Sequence, residues 1–411
     1  MKIIYAFILL LCLGNVQAQV SDIVTTGSGY ANQIWYSLEN DEQGSAPKEE
    51  WDIAFSVDMF SSSIHINGAT GVMLYTNPNG DISNWSDVIE EAEIATWNSQ
   101  YNSATSWESG AFDRNVDTGN PMDFGWGVYN FITHFVVGDS MFVIQLANQE
   151  YKKLKINELS VSGVYSFTYA NLDGSNEVNA TITKSDYAGK NFAYYSIENQ
   201  TALDREPLSG NWDLLFTQYT DYIPVPYTVA GVLHNKHVQV AQVDDVDQNT
   251  FDDYSAGSFV EAINEIGYDW KTFGGMGFNI EANRVYFVQE NGNIWKLVFT
   301  GFGGSATGTY EFTKELLATV NVDEMQQEVY LSTFPNPNVD GNFQLVTSGL
   351  SNENYTFCIY DLQGKEVFRN NITLTSGLQV TSVHANLQSG MYVGVLFVGN
   401  TISSRTKIQV H

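Results

Sequence analysis

This chain repeats itself, and the length of the repeat limits its folds more than anything else in it. The stretch Ile34-Trp35-Tyr36-Ser37-Leu38-Glu39-Asn40 returns as Ala193-Tyr194-Tyr195-Ser196-Ile197-Glu198-Asn199. Each is followed by a polar turn and a signature, Trp51-Asp52-Ile53-Ala54-Phe55 in the first copy and Trp212-Asp213-Leu214-Leu215-Phe216 in the second. Trp126 and Trp270 come next, then Met141 to Gln145 leading to Tyr151-Lys152-Lys153-Leu154, matched by Val285 to Gln289 leading to Ile294-Trp295-Lys296-Leu297. Both copies close on Gly-x-Tyr-x-Phe, at Gly163 to Phe167 and Gly308 to Phe312. Five anchors in one order define an internal duplication. At roughly 150 residues the unit is domain-sized, too long for a solenoid repeat.

The patterning within each copy is that of strands. Aromatic and β-branched residues alternate with polar ones between Gly, Asn and Asp turns. We therefore expect a mainly β body of two tandem domains, 19–170 and 171–320. Helices are expected only at Trp85 to Ala95, capped by Asn84, and at Ser258 to Ile266. In each signature the Trp, Ile or Leu, and Phe are expected on one face of a strand, by the period of two. Asp52 and Asp213 are expected to hold a turn or a backbone amide.

The tail has a different character. Phe334-Pro335-Asn336-Pro337 and Gly341 precede a strand ending in Tyr360-Asp361-Leu362-Gln363-Gly364, and Leu387-Gln388-Ser389-Gly390-Met391-Tyr392-Val393 precedes a last strand with Arg405 and Lys407. Alternating runs with turn signals at Asn336-Pro337, Gln363-Gly364 and Ser389-Gly390 predict a small antiparallel sandwich. These ordered motifs, over 329–411, resemble the type A C-terminal sorting domain of the type IX secretion system of Bacteroidota. The resemblance implies the secretion machinery as partner, and a protein released outside the cell or held on its surface. Its motif residues here are Pro335, Asn336, Pro337, Gly341, Gly364, Gly390, Tyr392 and Lys407. A linker at 321–328 joins tail and body.

At the other end, Lys2, the apolar run Ile3 to Leu13, and Val16-Gln17-Ala18 read as a signal peptide over 1–18, cleaved after Ala18. No later run reaches the eighteen or so apolar residues of a membrane helix. Cys12 lies in that leader, which leaves Cys358 as the one cysteine of the mature chain and allows no intramolecular disulfide. The net charge is −29, and all of it sits before residue 329, since the tail carries four charges of each sign. Such a field disfavours nucleic acid and anionic lipid. The runs Asp244-Asp245-Val246-Asp247 and Asp252-Asp253 lack the glycine and terminal Glu of a calcium loop and read as solvated acidic loops.

The anchors of the body, in their order, resemble the HmuY family of Bacteroidota, secreted or surface haem-binding proteins. The resemblance covers both copies and implies haem as cofactor, with axial ligands from the region after each Trp-Asp strand. Imidazole and thioether are suitable ligands. The candidates are His65 and His134 in the first copy, with Met59 and Met73 near the former, and His234 and His237 in the second, with Met276 downstream. His234 and His237 would share one side only if Asn235-Lys236 formed a hairpin turn. His65 stands 14 beyond Trp51 and His234 stands 22 beyond Trp212, so the copies do not repeat a ligand. The alternative is a surface adhesin or glycan-binding module with the same fold, in which Trp85, Trp97, Tyr101 or Trp107 stacks on sugar rings. No nucleophile elbow, zinc-protease motif or phosphate loop is present, and Gly301-Phe302-Gly303-Gly304 reads as a hairpin connection, so no enzyme is expected.

Overall fold

In this computed structural model the body is described over 19–319, and the tail over 330–334, 336, 338, 341–348, 350, 353–361, 364–374, 379–399 and 401–410. The leader with Ala18, the linker at 321–328, Pro335 and Pro337 lie outside the described residues. The protein is mainly β, as its patterning predicts. Body and tail are separate compact units.

The body forms two sandwiches, with strands numbered along the chain. One pairs the sheet β15 (Thr201–Leu203), β14 (Phe192–Ser196), β4 (Ile53–Ser56), β5 (Ile64–Ile66) with a larger one. The larger sheet runs β13 (Val178–Thr183), β12 (Val164–Ala170), β11 (Tyr151–Leu159), β10 (Ser140–Gln145), β6 (Met73–Asp81), β7 (Ser99–Gln100), with β8 (Gly127–Tyr129) and β9 (Val136–Gly138) alongside β11. The other sandwich pairs β3 (Asp41–Pro47), β2 (Asn32–Ser37), β16 (Leu214–Tyr222), β17 (Pro226–His234) with a second sheet. That sheet runs β1 (Val20–Thr25), β23 (Thr309–Thr319), β22 (Asn293–Phe302), β21 (Val285–Glu290), β18 (Gln239–Val243). A short hairpin, β19 (Lys271–Phe273) with β20 (Phe278–Ile280), stands apart.

The strand orders correspond, except that β7, β8 and β9 have no counterpart in the other sandwich, but each sandwich mixes the two sequence copies. The Tyr-Ser strand β2 of the first copy pairs with the Trp-Asp strand β16 of the second, Tyr36 opposite Leu214. Reciprocally, β14 of the second copy pairs with β4 of the first, Tyr195 opposite Ile53. The edge strands follow: β1 joins β23, and β13 joins β12 across the expected 170/171 boundary. One sandwich is thus continuous, from β4 to β15, and sits as an insertion between β3 and β16 of the other.

The signature aspartates hold this exchange. Asp52 Oδ2 accepts the Ile197 N–H at 2.7 Å, and Asp213 Oδ2 accepts the Leu38 N–H at 2.7 Å. Each carboxylate therefore caps the turn after the Tyr-Ser strand donated by the opposite copy, where a buried N–H would otherwise lack a partner. Asn67 and Asn235 repeat a second brace. Asn67 Nδ2 donates to the Lys48 and Trp51 carbonyls, Asn235 Nδ2 to those of Ser209 and Trp212.

Three expectations are corrected. Ile53 and Phe55 face one core and Leu214 and Phe216 the other, but Trp51 and Trp212 do not join them. The strands begin only at residues 53 and 214, after a bend at the Asp, so alternation does not reach the Trp; both indoles pack on the outer faces, Trp51 with Ala54 and Trp212 with Leu215. Between Asn84 and Ala95 only Glu91–Ile94 is α-helical, and Asn84 ends a 3-10 turn instead of capping a helix. Ser258 to Ile266 forms no helix; Val260 bridges Val240 in extended form, and the Ile263 carbonyl accepts the His234 N–H at 2.9 Å. This segment covers the edge of β17, a tertiary demand that overrides local propensity.

The tail is an antiparallel sandwich, as predicted. One sheet orders β24 (Tyr330–Phe334), β25 (Asn342–Ser348), β28 (Gln379–His384), the other β27 (Glu366–Leu374), β26 (Glu353–Asp361), β29 (Gly390–Val398), β30 (Thr401–Val410). They close on Phe343, Leu345, Phe357, Ile359, Leu396 and Ile408, with Cys358 free and buried nearby.

If the aspartates hold the exchanged strands, Asp52→Ala and Asp213→Ala should each cost about 1–3 kcal/mol, the usual penalty for leaving a buried N–H without a partner. Urea denaturation of the secreted body would measure this. A loss below a few tenths for both would show that the exchange does not need them.

Candidate functional site

The outer faces of the two four-stranded sheets meet along a seam of aromatic residues. β2 brings Trp35, β14 brings Phe192 and Tyr194, and the turns before β4 and β16 bring Trp51 and Trp212. Arg205 is set among them. Its guanidinium lies 5.4, 5.9 and 5.0 Å from the ring centres of Trp35, Trp51 and Tyr194, while it donates to Glu50 Oε1, Gln33 Oε1 and the Pro47 carbonyl. Planar stacking with full hydrogen bonding suits arginine here and would not suit lysine. The next residue, Glu206, accepts the N–H groups of Asn191 and Phe192 and the Tyr194 hydroxyl. Burial pushes its carboxyl up to about 7 despite those bonds.

A loop from Asn102 to Asp113 stands along the β5 edge and completes the seam. The Asn102 side chain takes the place of a neighbouring strand, accepting the Ile66 N–H at 3.0 Å and donating to the Ile66 carbonyl at 2.7 Å. Gly110 runs so close to β5 that a Cβ there would lie 2.0 Å from the Ile64 carbonyl oxygen. The loop thereby delivers Trp107, whose indole N–H donates to the His234 carbonyl at 2.9 Å and whose own carbonyl contacts His65 Nε2 at 2.9 Å. It packs on both outer faces.

Between these elements lies a cleft of ≈ 90 Å³. Its walls include Trp51, Trp107, Tyr194, Trp212, Tyr219 and the turn at Gly68-Ala69. Most of its polar side chains are already bound within the protein: Gln33 to Thr217, Gln218 to Lys48, Asn102 to Ile66. Two buried atoms of lining residues, Trp212 Nε1 and Asn67 Oδ1, have no hydrogen-bond partner among the described residues.

The four candidate histidines are not brought together. His65 sits on β5 at the cleft, buried against Phe192 and Trp107, with Nε2 also 3.1 Å from Ser63 Oγ; burial pulls it down to about 4. His234 ends β17, buried, with Nε2 2.8 Å from the Ala262 carbonyl and Nδ1 3.0 Å from that of Asn235. Residues 235–238 form no hairpin, because β17 and β18 belong to different sheets and the link crosses from one to the other; Asn235 is buried and His237 exposed. His134, on the loop between β8 and β9, shares its Nδ1 with the Tyr129 hydroxyl at 2.8 Å. Of the methionines, Met59 and Met276 are exposed on loops.

Superposing the copies by register explains the missing repeat of a ligand. Ala54 pairs with His65 and Leu215 with Leu233, so His65 corresponds to Leu233, and His234 to Ile66. The residue that does repeat is the next one along, Asn67 and Asn235. Its sequence signal is two aliphatic residues and a His ahead of Asn, Ile64-His65-Ile66-Asn67 and Val232-Leu233-His234-Asn235, hidden by a longer hairpin in the second copy.

Asp113 shows why nearness alone makes no relay. Its Oδ2 accepts from Ser63 Oγ at 2.5 Å and the Gly110 N–H at 2.7 Å, so it braces the loop and the serine instead of orienting His65. Among the described residues no group of three His, Cys, Asp or Glu is placed to hold a metal. Asp244 pairs with Arg284 and Asp252 with Lys296. Of the candidate sugar platforms, Trp107 lines the cleft. Trp97 is buried with Ile94 and Met141, Trp85 lies under Lys153 and Lys155, and Tyr101 stands edge-on to Tyr222.

In the tail, the motif residues are architectural. Asn336 Nδ2 donates to the Lys407 carbonyl at 2.6 Å, and Asn336 Oδ1 accepts the Gln409 N–H at 2.8 Å, which ties the first motif to the last strand. Gly341 has φ +75°, and a Cβ there would meet the Leu387 nitrogen at 2.5 Å. Gly364 turns β26 into β27, and the Tyr392 hydroxyl donates to the Gln388 carbonyl at 2.8 Å. The family model of the secretion system C-terminal sorting domain matches residues 332–411. The tail is a type IX sorting domain. It marks the protein for export, to the cell surface or the medium, and no helix among the described residues is long and apolar enough to cross a membrane. No curated protein matches the chain.

Glu206 gives the seam a pH dependence of defined sign. A carboxyl whose folded value lies above its unfolded value of about 4.3 stabilises the fold fully below that pH and loses the contribution as pH rises through about 7. Glu206→Gln should therefore melt progressively higher relative to the native protein as pH rises from 4.5 to 7.5. A difference independent of pH would contradict this.

Proposed function

We propose that this is an exported, non-enzymatic binding protein that holds a surface glycan in the seam cleft. The observation that carries the reading is the cleft itself: indole and phenol faces beside fixed amide groups, on a rigid scaffold of two sandwiches. Flat aromatic faces take up the C–H side of a sugar ring, and amides set its orientation. The sorting tail supports a role outside the cell, where such ligands occur.

The HmuY-like reading of the body rests on the ordered anchors, and haem binding would follow from it. The geometry favours the glycan. His65 and His234 are buried, with ring nitrogens against backbone carbonyls that an iron would have to displace. Of the four histidines, only His237 is exposed. The cleft is also small beside the roughly 300–1,000 Å³ of ordinary ligand pockets, which suits one group of a longer chain held at its mouth better than an enclosed tetrapyrrole.

A glycan array probed with the full secreted chain should show binding that Ala69→Trp, which fills the cleft from a partly exposed turn, reduces at least tenfold. Trp97→Ala, away from the cleft, should leave it unchanged. A saturable hemin titration with no array signal would overturn the proposal in favour of haem.

A further inference from the structure

The two copies supply their own comparison at the seam. Trp51 and Trp212 are equivalent, and so are the asparagines Asn67 and Asn235, which brace the turns carrying them. The Trp51 indole N–H donates to Gln33 Oε1 at 3.3 Å. By the register of β2 and β14, the residue equivalent to Gln33 is Phe192, which has no acceptor, and Trp212 Nε1 has no partner. The asparagines differ the other way. Asn235 Oδ1 accepts from Asn191 Nδ2 and the Lys236 N–H, both at 2.7 Å, whereas Asn67 Oδ1 accepts from nothing. A donor and an acceptor that the protein satisfies in one copy are thus released in the other. Both belong to residues that line the same cleft.

A buried polar atom without a partner is costly, because it gives up its bonds to water and gains none in return. An offset is at hand if a ligand brings the missing acceptor and donor. The rest of the cleft limits which ligand that is. Trp35, Leu215, Leu233 and Ile263 wall it with apolar surface. A buried hexose face would bring several hydroxyls, most without a free protein group to meet them. An amide brings one acceptor and one donor, and an acetamido group adds a methyl for the apolar wall.

We propose that the cleft recognises the acetamido group of an N-acetylated amino sugar. The Trp212 indole N–H donates to its carbonyl, and Asn67 Oδ1 accepts its N–H. Both protein atoms are covered in this structure, so the group reaches them by the side-chain shifts that binding ordinarily brings. The inference rests on the cleft being the glycan site and names the sugar class it takes.

The test is titration calorimetry of the full secreted chain with β-1,4-linked trimers of N-acetylglucosamine and of glucose, which differ at the acetamido position. The native protein should prefer the acetylated trimer about tenfold, the worth of one or two such hydrogen bonds. Trp212→Phe keeps the ring and removes the donor. Phe192→Gln places an acceptor where Gln33 serves Trp51, and so competes for the Trp212 N–H. Both should bring the acetylated trimer's affinity down to that of the glucose trimer. If the native protein binds both trimers equally, or both variants keep the preference, the acetamido inference is overturned and the glycan reading stands. If neither trimer binds and a glycan array is blank, both fall together.

Discussion

Two buried carboxylates hold the body of this protein in its form. Asp52 and Asp213 each cap a turn that belongs to the other copy of the duplicated sequence, and each does so because the strand before that turn has been exchanged. A capping bond within one copy would leave two domains free to separate. Made reciprocally, the same bond commits four strands to two shared sheets. Everything at the seam follows from that commitment, since β2 and β14 carry the aromatic residues facing it.

Duplication then provides the means to specialise. Two equivalent turns can hold identical braces, as the asparagine side-chain amides do, while the residues in front of them diverge. Gln33 against Phe192, and Trp35 against Tyr194, at matching register, have made the two halves of the seam unlike. Arg205 and its three rings lock one half. Each half still keeps one unmet group, Trp212 Nε1 on one side and Asn67 Oδ1 on the other, the state in which binding sites differ from well-satisfied cores.

Much of this was legible in the residues. The alternating pattern announces the strands, the turn signals announce the tail, and the ordered anchors announce the duplication, because each is local or repeats in order. The exchange was not legible. Tyr-Ser and Trp-Asp strands pair with the same register whether they come from one copy or from two, so nothing in either strand says which. The histidines attracted notice because imidazole is chemically versatile, but versatility does not set burial, and His65 and His234 serve the backbone around them. A period of two carried through the Asp puts each signature Trp on the wrong face, because the chain bends there. Arg205 and Glu206 gave no motif at all; they matter through rings and amides far away in sequence.

The exchanged arrangement is tested most directly by cutting the chain in two ways. Residues 48–208 contain every strand of the continuous sandwich, from β4 to β15, together with Asp52 and its Ile197 partner. Residues 19–170 contain one whole sequence copy. The account predicts a cooperative thermal transition and dispersed amide resonances for 48–208, and neither for 19–170. A folded 19–170 beside an unfolded 48–208 would contradict it, and would mean that each copy closes on its own strands.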